Sequence, residues 1–180
     1  NYAFRNTGDL TFTDVSHKWG LGLATFSNGS AYADFDRDGD LDLVVNNIND
    51  EALLYRNNIR EKQEENSHYI RIHLIGHERN SQGLGTWIEI HYDHGKKQVW
   101  EHNTFRGYLS TVENIAHFGL GKTNTIDSLV VKWQNRKKQV MRNLKADQII
   151  TADISHAEAD FSRIYEKKIN PSQIKIFNLD

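Results

Sequence analysis

The chain is predicted to be all-β, and three features of its sequence lead there. Apolar residues recur at every second position in short runs, as in Tyr69-Ile70-Arg71-Ile72-His73-Leu74-Ile75. Aromatic residues are frequent, with eight Phe, seven Tyr and four Trp, and such side chains pack well on a pleated surface. Glycine, asparagine and aspartate punctuate these runs at short intervals while proline is used once, the pattern of strands joined by tight turns.

Residues 1–58 alternate strand-like runs with turn signals. Leu10-Thr11-Phe12-Thr13-Asp14-Val15 follows the turn Thr7-Gly8-Asp9, and Leu41, Leu43 and Val45 alternate with polar or smaller residues. Tyr2-Ala3-Phe4-Arg5-Asn6 is echoed by Leu54-Tyr55-Arg56-Asn57-Asn58, a spacing within the range of propeller-blade repeats. Residues 59–67 form a polar charge run with no strand or long-helix pattern, and a domain boundary is expected there.

Residues 68–153 read as a second β unit, with strands expected at 69–75, 86–92, 97–101, 115–118, 128–133, 138–141 and 148–154. Seven short strands in this length predict a small β-sandwich or barrel-like domain. The extension 154–180 offers a modest helix-like face at Ala157, Phe161, Ile164 and Tyr165, then a run at 173–179 that could be extended.

Composition removes several classes of function. A charged fraction of 26% with 38% hydrophobic residues is that of a folded chain. The formal charge of -2 and pI near 6.5 supply no broad basic face, so no nucleic-acid partner is expected. The absence of cysteine excludes disulfides, thiolate nucleophiles and cysteine-based metal sites. No apolar run is long enough to span a bilayer, and direct membrane insertion is not expected.

The strongest chemical signal is Asp34-Phe35-Asp36-Arg37-Asp38-Gly39-Asp40-Leu41-Asp42. Calcium takes six to eight oxygens, and alternating carboxylates can wrap one ion if the backbone turns sharply. Asp34, Asp36 and Asp38 stand at loop positions one, three and five, Gly39 at the turning position, and Asp42 at position nine. Asp40 would contribute its carbonyl, leaving its carboxylate to face solvent. Val45 at position twelve and the flanking strand patterns exclude a helix-flanked EF-hand. Magnesium or manganese, or an ordinary acidic turn, are the competing readings.

Other constellations carry less. Gly83-Leu84-Gly85-Thr86-Trp87-Ile88 lacks the third glycine of a dinucleotide loop and precedes a strand-like segment. Gly119 and Gly121 read as turn or bulge residues. Ser110, Glu113 and His117 lack a nucleophile elbow. Trp87, Trp100, Trp133 and Tyr108 either fill a core or line a carbohydrate platform.

Residues 1–58, with their core at 26–43, resemble the calcium-binding FG-GAP or VCBS repeats of β-propellers. The resemblance implies Asp34, Asp36, Asp38 and Asp42 as side-chain ligands with Asp40 contributing through its carbonyl, and further blades upstream. Residues 68–151 resemble the ASPIC and UnbV domain through 68–76, 81–90, 107–110, 117–121 and Leu129-Val130-Val131-Lys132-Trp133. Gln134-Asn135-Arg136 departs from that family's usual turn. Together these imply a partial propeller blade region followed by a β domain, in an extracytoplasmic, secreted or surface-associated protein. The expected function is a noncatalytic calcium-stabilised module for protein or glycan interaction. The alternatives are an accessory region of a polysaccharide-active enzyme and a purely structural module.

Overall fold

A computed structural model describes residues 1–160. The helix-like face from Phe161 onward and the run at 173–179 lie outside the described residues. The N-terminal unit holds an antiparallel pair, β1 (Phe4–Asn6) and β2 (Phe12–Asp14). It also holds an antiparallel meander of β3 (Ser27–Ala33), β4 (Asp42–Asn47) and β5 (Leu53–Tyr55). The polar run then forms a short helix α1 (Ile59–Gln63) and one 3-10 turn at Glu64–Asn66, neither with a buried residue.

The second unit contributes β6 (His68–Ile75), β7 (Trp87–Tyr92), β8 (Lys96–Glu101), β9 (Ala116–Gly121), β10 (Thr125–Lys132), β11 (Lys137–Lys145) and β12 (Gln148–Asp153). A two-residue strand, β13 (Ala159–Asp160), closes one edge. Each of the seven predicted runs falls on one of β6 to β12. The largest difference is β11, which continues through Arg142-Asn143-Leu144-Lys145. That segment is too polar to signal a strand, and pairing with β10 carries it on as far as Lys145 opposite Thr125.

The strands form a five-stranded sheet in the order β13-β11-β10-β7-β8 and a three-stranded sheet in the order β12-β6-β9. β12 runs parallel to β6, which is possible because the chain reaches it from β11 in the opposite sheet and not through a tight hairpin. One apolar core lies between the two layers, with Ile70, Ile72, Leu74, Ala116 and Phe118 from one and Ile88, Ile90, Leu129 and Val131 from the other. The domain is therefore a two-layer sandwich, and the barrel option is set aside because neither sheet closes. Among the described residues, the two small N-terminal sheets likewise do not close into a propeller.

Trp133 is buried in this core and Trp100 packs edge-on against Phe118, whereas Trp87 and Tyr108 are exposed. The four aromatics thus do not share an exposed carbohydrate platform. The Gly119-Leu120-Gly121 segment forms the expected bulge, with Gly121 opposite His68 and Gly119 opposite Tyr69.

The central strand β6 is covered on both faces at Ile70, Arg71 and Ile72. Ile70, Ile72 and Leu74 point into the sandwich, while Tyr69 and Arg71 point the other way, toward the N-terminal unit. Arg71 is only 4% exposed. Just beyond β6, the chain turns so tightly that a Cβ at Gly76 would stand 2.1 Å from the Asn80 carbonyl oxygen and 2.8 Å from the Gly83 nitrogen. Both obstacles are backbone, so neither can swing aside. Gly76→Ala should lower the unfolding free energy by about 1–3 kcal/mol through this overpacking. Gly119→Ala, where nothing lies within 4 Å, should stay within about 0.5 kcal/mol, and urea unfolding followed by tryptophan fluorescence distinguishes the two.

Candidate metal centre

The acidic loop connects β3 to β4, and the hairpin register sets Ala33 opposite Asp42. Two left-handed residues turn it, Arg37 at φ 64° and Gly39 at φ 97°. The Asp40 amide donates to Asp38 Oδ1 at 3.0 Å, which tightens the same turn. This folding brings one carboxylate oxygen from each of Asp34, Asp36 and Asp38 within 4.8 Å of the others. The three can therefore hold a metal ion between them.

Three carboxylate oxygens around the loop are buried without a hydrogen-bond partner: Asp34 Oδ1, Asp38 Oδ2 and Asp40 Oδ1. The first two belong to the clustered side chains. A buried anion left unsatisfied is costly, and a bound cation is the usual compensation. The donor set is all oxygen, which suits a hard divalent ion and does not suit soft metals. The residues present therefore fit the ion that the loop pattern implies.

Asp40 and Asp42 are placed differently from the three clustered carboxylates. Asp40 is 5% exposed and its Oδ2 accepts the Arg60 amide at 3.2 Å, so the expectation of a solvent-facing carboxylate is corrected. The reason is the second unit and α1, which close over the loop. Burial pushes the Asp40 carboxyl up from its ordinary range, and the charges of Asp38, Asp42 and Asp36 act in the same direction, against the Arg60 hydrogen bond. The two oxygens of Asp42 accept backbone amides, Oδ2 from Phe35 at 3.1 Å and Oδ1 from Asn57 at 2.8 Å. Asp42 thus ties β4 to both the loop entrance and the chain after β5.

Two arginines reach the cluster, and neither was singled out from the sequence. Arg71 Nη1 donates to Asp34 Oδ2 and Nη2 to Glu113 Oε1, each at 2.5 Å. Side chains of Arg71 and Asp34 are 5% and 1% exposed, which makes this a fully buried pair across the two units. Arg56 Nε donates to Asp36 Oδ2 at 2.8 Å, and its Nη2 to Glu61. Arg56 and Asp36 are partly exposed, so that contact is weak and solvent-screened. Arg71 alternates with Ile70 and Ile72 and so falls on the face of β6 opposite the core.

The Ser110, Glu113 and His117 grouping does not form a triad. Glu113 is committed to Arg71, Ser110 Oγ donates to the Tyr108 carbonyl, and the His117 ring stacks on Tyr69 at 5.8 Å.

Comparisons with known proteins agree in order along the chain. The FG-GAP-like repeat family matches residues 1–45, and the ASPIC and UnbV family matches residues 76–159. A segment of 56 residues is 39% identical to Cartilage acidic protein 1 of Xenopus tropicalis. That segment covers 31% of this chain and 9% of the relative, so the chain spans a small part of that protein's length.

His117 lies beside Arg71 on the covered face of β9, and it yields a pH prediction. Burial, with a smaller push from Arg71, lowers its pKa from 6.5 to about 4. Between those values the unfolded chain binds the proton and the folded chain does not, so stability falls as pH drops from 6.5 toward 4. The full effect is roughly 3 kcal/mol. In chelator, His117→Phe should show a shallower loss of thermal stability over this interval than the parent protein.

Proposed function

We propose that this chain, which carries an FG-GAP-like repeat followed by an ASPIC and UnbV domain, is a calcium-stabilised extracytoplasmic module for binding a protein or glycan. The observation that carries the calcium reading is the pair of buried, unpartnered oxygens, Asp34 Oδ1 and Asp38 Oδ2, within a three-carboxylate cluster. Asp34, Asp36 and Asp38 would hold the ion by side chains, with the Asp40 carbonyl and Asp42 at the remaining expected positions. When bound, the ion supplies the positive charge that neutralises carboxylates otherwise repelling one another.

The chain's own residues do the rest. Gly39 allows the turn, Asp42 anchors it to backbone amides, and Arg71 neutralises the innermost carboxylate from the other unit. Among the described residues the scaffold presents surface for a partner, and Ser110, Glu113 and His117 are each engaged elsewhere. The extracytoplasmic assignment is supported by those families and by the resemblance to Cartilage acidic protein 1. It also suits a calcium site, because free calcium is abundant outside the cytoplasm and weaker sites are filled there.

Calorimetric titration of calcium into metal-free protein tests the reading. The parent should bind, and at free calcium about 100-fold above Kd it should gain about 2.7 kcal/mol of stability. The Asp36→Ala and Asp38→Ala double variant should lose both the heat of binding and the gain. A parent that shows neither would overturn the calcium assignment.

A further inference from the structure

The loop and the sandwich are more intimately joined than two modules on a tether. Strand β6 sends Tyr69 and Arg71, two residues apart and hence on one face, onto the acidic loop. Arg71 grips the first loop position through Asp34. Tyr69 covers the turning position, since a Cβ at Gly39 would come within 2.0 Å of its ring. The Tyr69 ring is itself held: His117 stacks on it with planes 8° apart, and the Arg60 guanidinium lies 5.3 Å from its centroid. Arg60 then returns to the loop through its amide, which donates to Asp40, while its side chain pairs with Asp147 at 3.1 Å.

Asp34 is the hinge of the arrangement. One carboxylate oxygen is bound to Arg71, the other is buried and unpartnered, and the side chain belongs to the cluster. The orientation of the first ligand is therefore set by a residue of the second unit. The units also meet along β3, where the Ser30 amide donates to Ser110 Oγ at 3.1 Å and the Glu113 amide to the Tyr32 carbonyl at 3.4 Å.

We propose that Tyr69 and Arg71 are positioning residues of the metal loop, so that metal affinity and docking of the sandwich against the repeat are thermodynamically coupled. This rests on the calcium reading above. A sandwich docked on the loop holds it in the binding shape; equally, a metal-loaded loop presents Asp34 and Gly39 in the shape that Arg71 and Tyr69 fit. The two effects must be equal in free energy, because coupling between binding equilibria is reciprocal.

The test uses the full chain and calcium itself. Tyr69→Ala removes the cover over Gly39 without changing charge, and it should raise the calcium Kd about tenfold or more, while Tyr69→Phe, which keeps the ring, stays within about twofold of the parent. Hydrogen exchange supplies a second readout at residues 108–113, which contact the repeat along β3. Added calcium should slow exchange there in the parent and should not in Tyr69→Ala, whose β7 and β10 amides remain protected. Parental affinity in Tyr69→Ala, or exchange at 108–113 that ignores calcium in the parent, would overturn the coupling. The parental exchange experiment decides the matter alone if Tyr69→Ala does not fold. A parent that fails to bind calcium at all defeats the calcium reading, an outcome distinct from a parent that binds without coupling.

Discussion

The buried ion pair between Arg71 and Asp34 is the contact on which the joining of the two units depends. Both side chains are almost wholly withdrawn from water, so each pays a desolvation cost of several kcal/mol that Coulomb attraction alone does not reliably recover. What makes the pair tolerable is the number of groups sharing the charge. Arg71 also holds Glu113, and Asp34 belongs to a carboxylate cluster suited to a cation. Its value lies in specificity: an arginine on β6 and an aspartate at the end of β3 can both be satisfied only when the sandwich sits in one position against the repeat. Truncating either partner would strand a charge in the interface.

The two units are stabilised by different physics. The sandwich encloses a continuous apolar core in which Ile70, Ile72, Ile88, Ile90, Ile126, Leu129 and Val131 are fully buried, and burial on that scale supports a fold without help. In residues 1–58 the buried apolar side chains are Val15 and Val45, while Asp34, Asp40, Asp42, Ser16 and Asn47 are buried polar groups. Its larger side chains, among them Tyr2, Phe12, Phe26 and Leu54, are exposed. A unit whose interior is mostly carboxylate and amide must draw its order from hydrogen bonds, from cations and from its neighbour. This contrast explains why the metal loop and the docking face are the same place. The loop is the repeat's interior, and β6 is the surface that closes it.

The wider architecture follows from strand alternation on β6. In most two-layer sandwiches one face of each sheet is wet. Here the repeat covers the second face of the three-stranded sheet at Tyr69 and Arg71, so the residues that alternate with Ile70 and Ile72 are drawn into an interface and carry its chemistry, while Ile149 on β12 stays exposed. The 59–66 segment contributes as well. Far from being a free tether, it delivers the Arg60 amide to Asp40 and the Arg60 side chain to Asp147.

Much of this was legible in the sequence. The period-two runs from 68 to 153 marked all seven main strands of the sandwich, because strand period is a local property written in every second side chain. The acidic loop was legible for the same reason, since the spacing of Asp34, Asp36 and Asp38 and the turning role of Gly39 are contained within six residues. Tertiary structure alone decided the rest. It paired β12 parallel to β6, buried Asp40, committed both oxygens of Asp42 to backbone amides, and made Arg71 the buried partner of Asp34. Each of these depends on which two distant segments meet, and a single chain's local pattern of polarity says which residues prefer to be covered without saying by what.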